Sequence, residues 1–241
     1  PLGWLFPSTP CDRLHAVGGE VGEGHPARDR LNRPELGGFQ VLACGRLDLR
    51  GRGRPETALS ELGFVASEAE YASKHLRRWA RPKRVSTPMM ALPGSSYIQP
   101  EPKGVVLIIA PWNYPLSMVC APLVGAIAAG NCAVMKPSEV TMHTSAAIAR
   151  ILPRYLDKDA FAVVEGGVPE TTELLANKFD HILYTGNESV ARIVMTAAAK
   201  HLTPCTLELG GKSPCLIDKS ANLEVAASRI AWGKFINAGQ T

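Results

Sequence analysis

The chain has 241 residues, long for one typical domain but within the range of a single large α/β domain, and it is 46% hydrophobic and 20% charged with a mean hydropathy of +0.01. That make-up excludes collagen-like, wholly disordered and disulfide-scaffold chains. A formal net charge of +4 without a long basic run gives no reason to expect nucleic acid as a partner.

No stretch reaches the ~18 uninterrupted apolar residues of a membrane span. The nearest, 104–110, has the length of a strand. Six cysteines, at 11, 44, 120, 132, 205 and 215, form no CxxC pair and no metal-ligand spacing. In a chain of this size they read as reduced thiols in an intracellular, cytoplasmic setting.

Composition changes near Pro55. Residues 1–55 hold ten Gly, six Pro and eight Arg but no Lys, whereas the remainder holds all ten Lys with eight Arg. Gly18-Gly19, Gly37-Gly38 and the Arg/Gly run at 50–54 interrupt every candidate element, so this segment reads as loop, disordered or foreign to the fold. Past the seam the pattern is regular. Leu62, Val65, Ala69, Ala72, Leu76 and Trp79 recur every three or four positions, which predicts a helix over 61–79. Pro82, Pro88 and Pro93 then hold the chain extended.

From 103 onward apolar runs alternate with amphipathic stretches. Strands are expected at 104–110, 132–136, 160–165, 181–184, 206–209 and 214–217. Helices are expected at 116–129, 144–156, 170–176, 189–201 and 223–236. Strands separated by helices call for crossovers and a parallel sheet, and unbroken apolar runs fit strands covered on both faces. The fold class is therefore α/β, a doubly wound parallel sheet, with three regions: 1–55 as a non-matching segment, 56–102 as helix and extended arm, and 103–241 as a binding domain. Ligands in such sheets bind outside the carboxyl ends of the strands.

Four loops at those ends carry polar groups. PWNYP at 111–115 fixes Asn113 between two prolines, either as a turn residue or as a neutral amide donor for a developing oxyanion. KPSE at 136–139 presents Lys136 and Glu139, which read as a grip on ribose hydroxyls or as part of an N-cap built on Ser138 or Thr141. YTGN at 184–187 puts Gly186 at a strand-to-helix turn, where backbone N–H groups can face a phosphate or simply turn the chain. LELGGKSP at 207–214 places Glu208 between leucines. A charge inside an apolar strand needs a partner, such as Lys212, or a tuned proton affinity. The glycines that follow, Gly210 and Gly211, leave room for a ligand.

The histidines His75, His143, His181 and His201 lie on separate elements and form no metal site, and Cys120 and Cys132 fall on apolar faces.

Taken together, PWNYP, KPSE, LELGGKSP and the terminal NAGQT at 237–241 stand in the order and approximate spacing of the aldehyde dehydrogenases, and the chain resembles that family from about residue 56 onward. AAAKHLTP at 197–204 and KRVSTP at 83–88 resemble its class 3 branch. The resemblance implies a Rossmann-like cofactor domain that uses NAD or NADP to oxidise a small-molecule aldehyde to its acid. It assigns Asn113 to the oxyanion hole and Glu208 to the general base. Pro111, Trp112, Lys136, Glu139, Gly186 and Gly211 fall on the cofactor side.

In the family the nucleophilic cysteine follows Gly-Gln-Thr, so a chain ending at Thr241 is expected to be inactive by itself, or to serve as a non-catalytic nucleotide-binding or subunit-interaction module. Poor solubility from uncovered apolar surface is expected. The segment 95–102 resembles part of the family's arm, which implies a homodimer in the intact protein. Membrane attachment is left undetermined. Ala191 stands where the family usually has a second glycine, which implies an altered cofactor fit, and Glu188 places a carboxylate near the phosphate-facing turn.

Overall fold

A computed structural model describes residues 54–241. The reading of 1–55 as loop or foreign segment lies outside the described residues except at its last two positions, which are already helical. Arg54–Thr57 forms a helical turn and Ala58–Gly63 continues it as a π-helix. Helix α1, Phe64–Trp79, follows and buries Val65, Ala69 and Ala72. Helical structure is thus already present at Arg54, seven residues before the predicted start at 61. The proline-rich stretch is extended only in part: β1 (Lys83–Val85) and β2 (Ser96–Ile98) pair antiparallel in a separate two-stranded sheet, but between them Met89–Ala91 forms a 3-10 turn closed by Ala91 N–H donating to Pro88 O at 2.9 Å, where continuous extended chain was expected.

The main sheet has five parallel strands in the order β5-β4-β3-β6-β7. They are β3 (Val105–Ile109), β4 (Cys132–Lys136), β5 (Phe161–Val163), β6 (His181–Gly186) and β7 (Cys205–Leu209). Helices α2 (Ser117–Ala128), α3 (Met142–Ile151), α4 (Val168–Ala176) and α5 (Glu188–Ala199) connect successive strands, and α6 (Leu223–Phe235) comes last. The chain starts at the centre, winds outward through β4 and β5, returns along α4 and winds outward again through β6 and β7. This is the doubly wound α/β arrangement expected from the alternating pattern.

Every residue of β3 and β4 is buried, which explains why these strands read as continuous apolar runs. Leu107, Ile108, Leu123, Met135, Ile148 and Leu152 are fully enclosed, each contributing about 1.5–3 kcal/mol of burial. Helix α2 is apolar on most of its surface because it lies between the sheet and α1.

The predicted strand at 214–217 is absent. No strand partners that segment, and Leu216 and Ile217 face solvent. Helix α6 buries none of its residues, leaving Leu223, Trp232 and Phe235 exposed. Cys120 and Cys132 are buried as predicted. Cys120, Cys205 and Cys215 carry free thiols, whereas Cys132 is disulfide-bonded, against the expectation of reduced thiols throughout. Among the described residues no helix is long and apolar enough to cross a membrane.

Candidate functional site

Sheet register brings the four polar loops to one edge. Ile109, the last residue of β3, lies opposite Lys136 of β4 on one side and Tyr184 of β6 on the other. Gly186 and Leu209 pair at the ends of β6 and β7, one step past Thr185 and Glu208. All four strands are parallel, so Asn113, Lys136, Gly186 and Glu208 all sit at carboxyl ends. Strand order reverses between β3 and β6, the position at which an open α/β sheet forms a ligand crevice.

The loop after β3 is held at both ends. Ala110 N–H donates to Lys136 O at 3.1 Å. At the other end, Leu116 and Ser117 N–H donate to Glu61 Oε2 at 2.7 and 3.1 Å. Between these anchors Pro111 is half-buried and Trp112 is exposed. Asn113 Nδ2 donates to Gln240 O at 2.6 Å, and Asn237 Nδ2 donates to Asn113 O at 2.9 Å. Tyr114 and Thr241 share a hydroxyl contact at 2.8 Å. The terminal NAGQT motif therefore folds back onto the Asn113 loop, a pairing of distant segments that local sequence does not signal.

Lys136 is buried, with its ammonium donating to Pro137 O at 2.8 Å and to Glu139 Oε2 at 3.0 Å. Glu139 is about half exposed. Its own backbone N–H, then Lys136, hold its carboxyl below the usual carboxylate range against the opposing effect of burial. Ser138 Oγ accepts from Val140 N–H at 3.3 Å, so Ser138 caps the short turn Glu139–Thr141 while the cation and the carboxylate pair. The capping reading of KPSE is thus met at Ser138, while Lys136 and Glu139 engage each other. Thr141 makes no side-chain cap. Glu170 closes this side of the edge. It accepts from Gly167 N–H at 2.7 Å, and backbone N–H groups together with the charge of Lys136 hold its carboxyl low.

At the β6–α5 turn, a Cβ on Gly186 would lie 2.3 Å from Tyr184 Oη, so any side chain here must displace the Tyr184 ring. Tyr184 is buried, and its hydroxyl donates to Asn187 O at 3.2 Å. Asn187 Oδ1 then caps α5 by accepting from Val190 N–H at 2.9 Å. Glu188 pairs with Arg192 along the exposed face of the helix, which engages the carboxylate that the sequence set beside the turn. Ala191 is buried against the core.

Glu208 departs from expectation. Its strand is the sheet edge and the residue is exposed, so no burial penalty has to be offset, and no ion pair joins it to Lys212 among the described residues. A Cβ at Gly210 or Gly211 would meet open space, so nothing in the chain's own packing demands glycine there.

Glu61 was missed by sequence reasoning. It lies four residues before Val65 on the stripe continued by Ala69 and Ala72, and that register marks it as inward-facing.

The aldehyde dehydrogenase family model matches residues 49–241. A mouse (Mus musculus) protein named aldehyde dehydrogenase, dimeric NADP-preferring, is 55% identical over 181 residues, covering 75% of this chain and 40% of that protein. Mouse aldehyde dehydrogenase family 3 member A2 is 55% identical over 202 residues, covering 84% of this chain and 42% of that protein. The substrate-bound structure of AldH from Staphylococcus aureus superposes with a TM-score of 0.85 at 38% identity, covering 96% of this chain and 51% of that one. The chain thus spans about two fifths of the length of the curated relatives it matches. With its fold and most of its length matched, it belongs to the aldehyde dehydrogenase family, on the class 3 side.

Proposed function

We propose that this member of the aldehyde dehydrogenase family is the cofactor-binding part of an enzyme that oxidises a small-molecule aldehyde to its carboxylic acid with NAD or NADP. The single observation that carries the reading is the alignment of Asn113, Lys136, Gly186 and Glu208 along one carboxyl edge at the reversal of strand order.

The residues at that edge fit a nicotinamide nucleotide. An ammonium has three donors and Lys136 uses two, which leaves one for a ribose hydroxyl or a phosphate oxygen. Glu139 offers an exposed carboxylate to the same hydroxyls. The first N–H groups of α5, behind Gly186 and Asn187, have no helical partner and suit a phosphate. Pro111, Trp112 and Gly211 complete the cofactor side, with Gly211 leaving space beside it. The NADP preference named for the mouse relative agrees with the cation at Lys136, whereas Glu139 favours an unphosphorylated ribose. When bound, the nicotinamide supplies the hydride acceptor.

In this reading Asn113 Nδ2 donates to the substrate oxygen as negative charge develops there, exchanging its bond to Gln240 O for one to substrate. Glu208, exposed at the end of β7, accepts a proton from water.

We infer further that the 241-residue chain does not turn over aldehyde by itself and acts as a nucleotide-binding module. Burial, aided by Glu61, pushes the Cys120 thiol up to about 12. Cys205 and Cys132 open their strands at the opposite edge of the sheet. Cys215 lies on the exposed segment after β7, and no hydrogen bond among the described residues ties it to Asn113. Self-association of the intact protein belongs to the same proposal, supported by the exposed Met89, Met90, Tyr97 and Ile98 on and beside the β1–β2 pair.

Calorimetric titration of the 241-residue chain with NADP+ and NAD+ tests the reading. Saturable one-site binding is expected, weakened at least tenfold in Lys136→Met. No saturable heat with either nucleotide, from protein with native circular dichroism, overturns it.

A further inference from the structure

Glu61 is a carboxylate enclosed to 1% exposure, far along the chain from the loops described above. A buried carboxylate is costly unless its oxygens are hydrogen-bonded. One oxygen of Glu61, Oε2, receives Leu116 N–H at 2.7 Å and Ser117 N–H at 3.1 Å. These two N–H groups open α2, which lacks a side-chain cap of its own. They are among the orphan donors of a helix start, at the positive end of its dipole. Glu61 is therefore the cap of α2, supplied from another element.

What it caps lies immediately beyond the Asn113 loop. Only Tyr114 and Pro115 separate Asn113 from Leu116, and Pro111 and Pro115 restrict the backbone on both sides. With β3 fixing one end of the loop and Glu61 the other, the directions open to the Asn113 amide narrow. A second tie runs from the same N-terminal helical segment, since Glu56 Oε1 accepts from Asn237 N–H at 3.1 Å and Asn237 Nδ2 donates to Asn113 O. The π-helical turn Ala58–Gly63 that carries Glu61 faces α2. Such turns interrupt regular helix and often aim one side chain at a working part of the protein.

We infer that Glu61 is a positioning residue: it acts on Asn113 through the first turn of α2 and fixes where the Asn113 amide points. Its bearing on aldehyde chemistry rests on the role proposed for Asn113 above. The holding action itself does not, and it is measured without nucleotide or substrate.

The experiment compares wild type, Glu61→Leu and Glu61→Gln in the full 241-residue chain. Leucine keeps the volume and removes the acceptor, whereas glutamine keeps one carbonyl oxygen able to accept both N–H groups. Amide exchange at Leu116 and Ser117 and the NMR signals of the Asn113 side-chain amide and Trp112 indole N–H are read, with Leu107 and Val134 as core references. In Glu61→Leu, exchange at 116 and 117 is expected to rise about tenfold or more over the core references, with the Asn113 and Trp112 signals shifted or broadened. Glu61→Gln is expected to restore most of both.

Unchanged exchange and signals in Glu61→Leu overturn the inference. So do changes that only track the core amides, or a glutamine variant no better than leucine. A positive result alongside a failed nucleotide titration leaves Glu61 as the holder of the loop and removes the proposed function, and the converse pair of results removes only Glu61.

Discussion

Gly186→Ala is the most exacting perturbation of the β6–α5 turn. Gly186 has none of the positive φ found at Gly104, Gly130, Gly166 and Gly239, so the cost of a methyl group is steric and not conformational. The new Cβ would lie 2.3 Å from Tyr184 Oη and 2.7 Å from Cζ, where ordinary carbon contacts are about 3.5 Å. The ring must retreat by about 1 Å in a buried site. Its hydroxyl then loses Asn187 O, the carbonyl of the residue that caps α5. Overpacking costs about 1–3 kcal/mol and the lost hydrogen bond about 1 more, giving about 2–4 kcal/mol. For a fold of this size that lowers Tm by about 5–10 °C.

Thermal unfolding of the 241-residue chain measures the loss, and Tyr184→Phe serves as partner. Phenylalanine removes the nearest atom, so the double variant should recover part of the stability that Gly186→Ala loses. A Gly186→Ala protein that melts within about 1 °C of wild type refutes the reasoning, as does a double variant that shows only additive losses.

Other outcomes follow from neighbouring residues. Gly211→Ala has open space around it and should leave stability within about 0.5 kcal/mol or raise it slightly, while nucleotide affinity falls several-fold. Unfolding midpoints and a titration separate the two effects, and unaltered affinity removes Gly211 from the proposed cofactor side. Glu139 is depressed in the folded state, so its contribution to stability is present above the usual carboxylate range and lost as pH falls through its lower folded value. In Lys136→Met the carbon NMR titration of Glu139 should move upward but stay depressed, because its own backbone N–H is retained; an unmoved titration contradicts the pairing. Among the free thiols, Cys215 should alkylate first and Cys120 last at neutral pH, read by peptide mapping, because Cys120 is buried with its thiol pushed up to about 12. Comparable rates at the two would contradict the burial.

Central strands were the most legible part of the sequence. For β4 the boundaries at Cys132 and Lys136 match, and for β3 the expected run is one residue longer at each end. Both are covered on two faces, so their composition is dictated by burial alone. Sequence could not separate an edge strand from a central one when both are short and leucine-flanked. Glu208 was therefore read as a buried charge, although β7 leaves it in solvent. The segment at 214–217 has strand-like composition but no strand beside it, and backbone pairing decides such cases.

At the site, residue identities were legible because prolines, glycines and capping residues act locally. Partnerships were not. Asn113 meets Asn237 and Gln240, and Glu61 meets α2, across separations that only the folded sheet closes. For Gly186, the ring that a side chain would displace is Tyr184, two residues earlier on the same strand, which sequence alone did not disclose.

Amide NMR of the isotope-labelled 241-residue chain during addition of NADP+ tests the central claim most directly. If a nicotinamide nucleotide lies along the carboxyl edge of β3, β4 and β6, saturable shifts should concentrate at Trp112, Asn113, Lys136, Glu139 and the first turn of α5 from Asn187. Saturable shifts confined to the amino edge near Cys132 and Cys205, or none at any concentration, would contradict it.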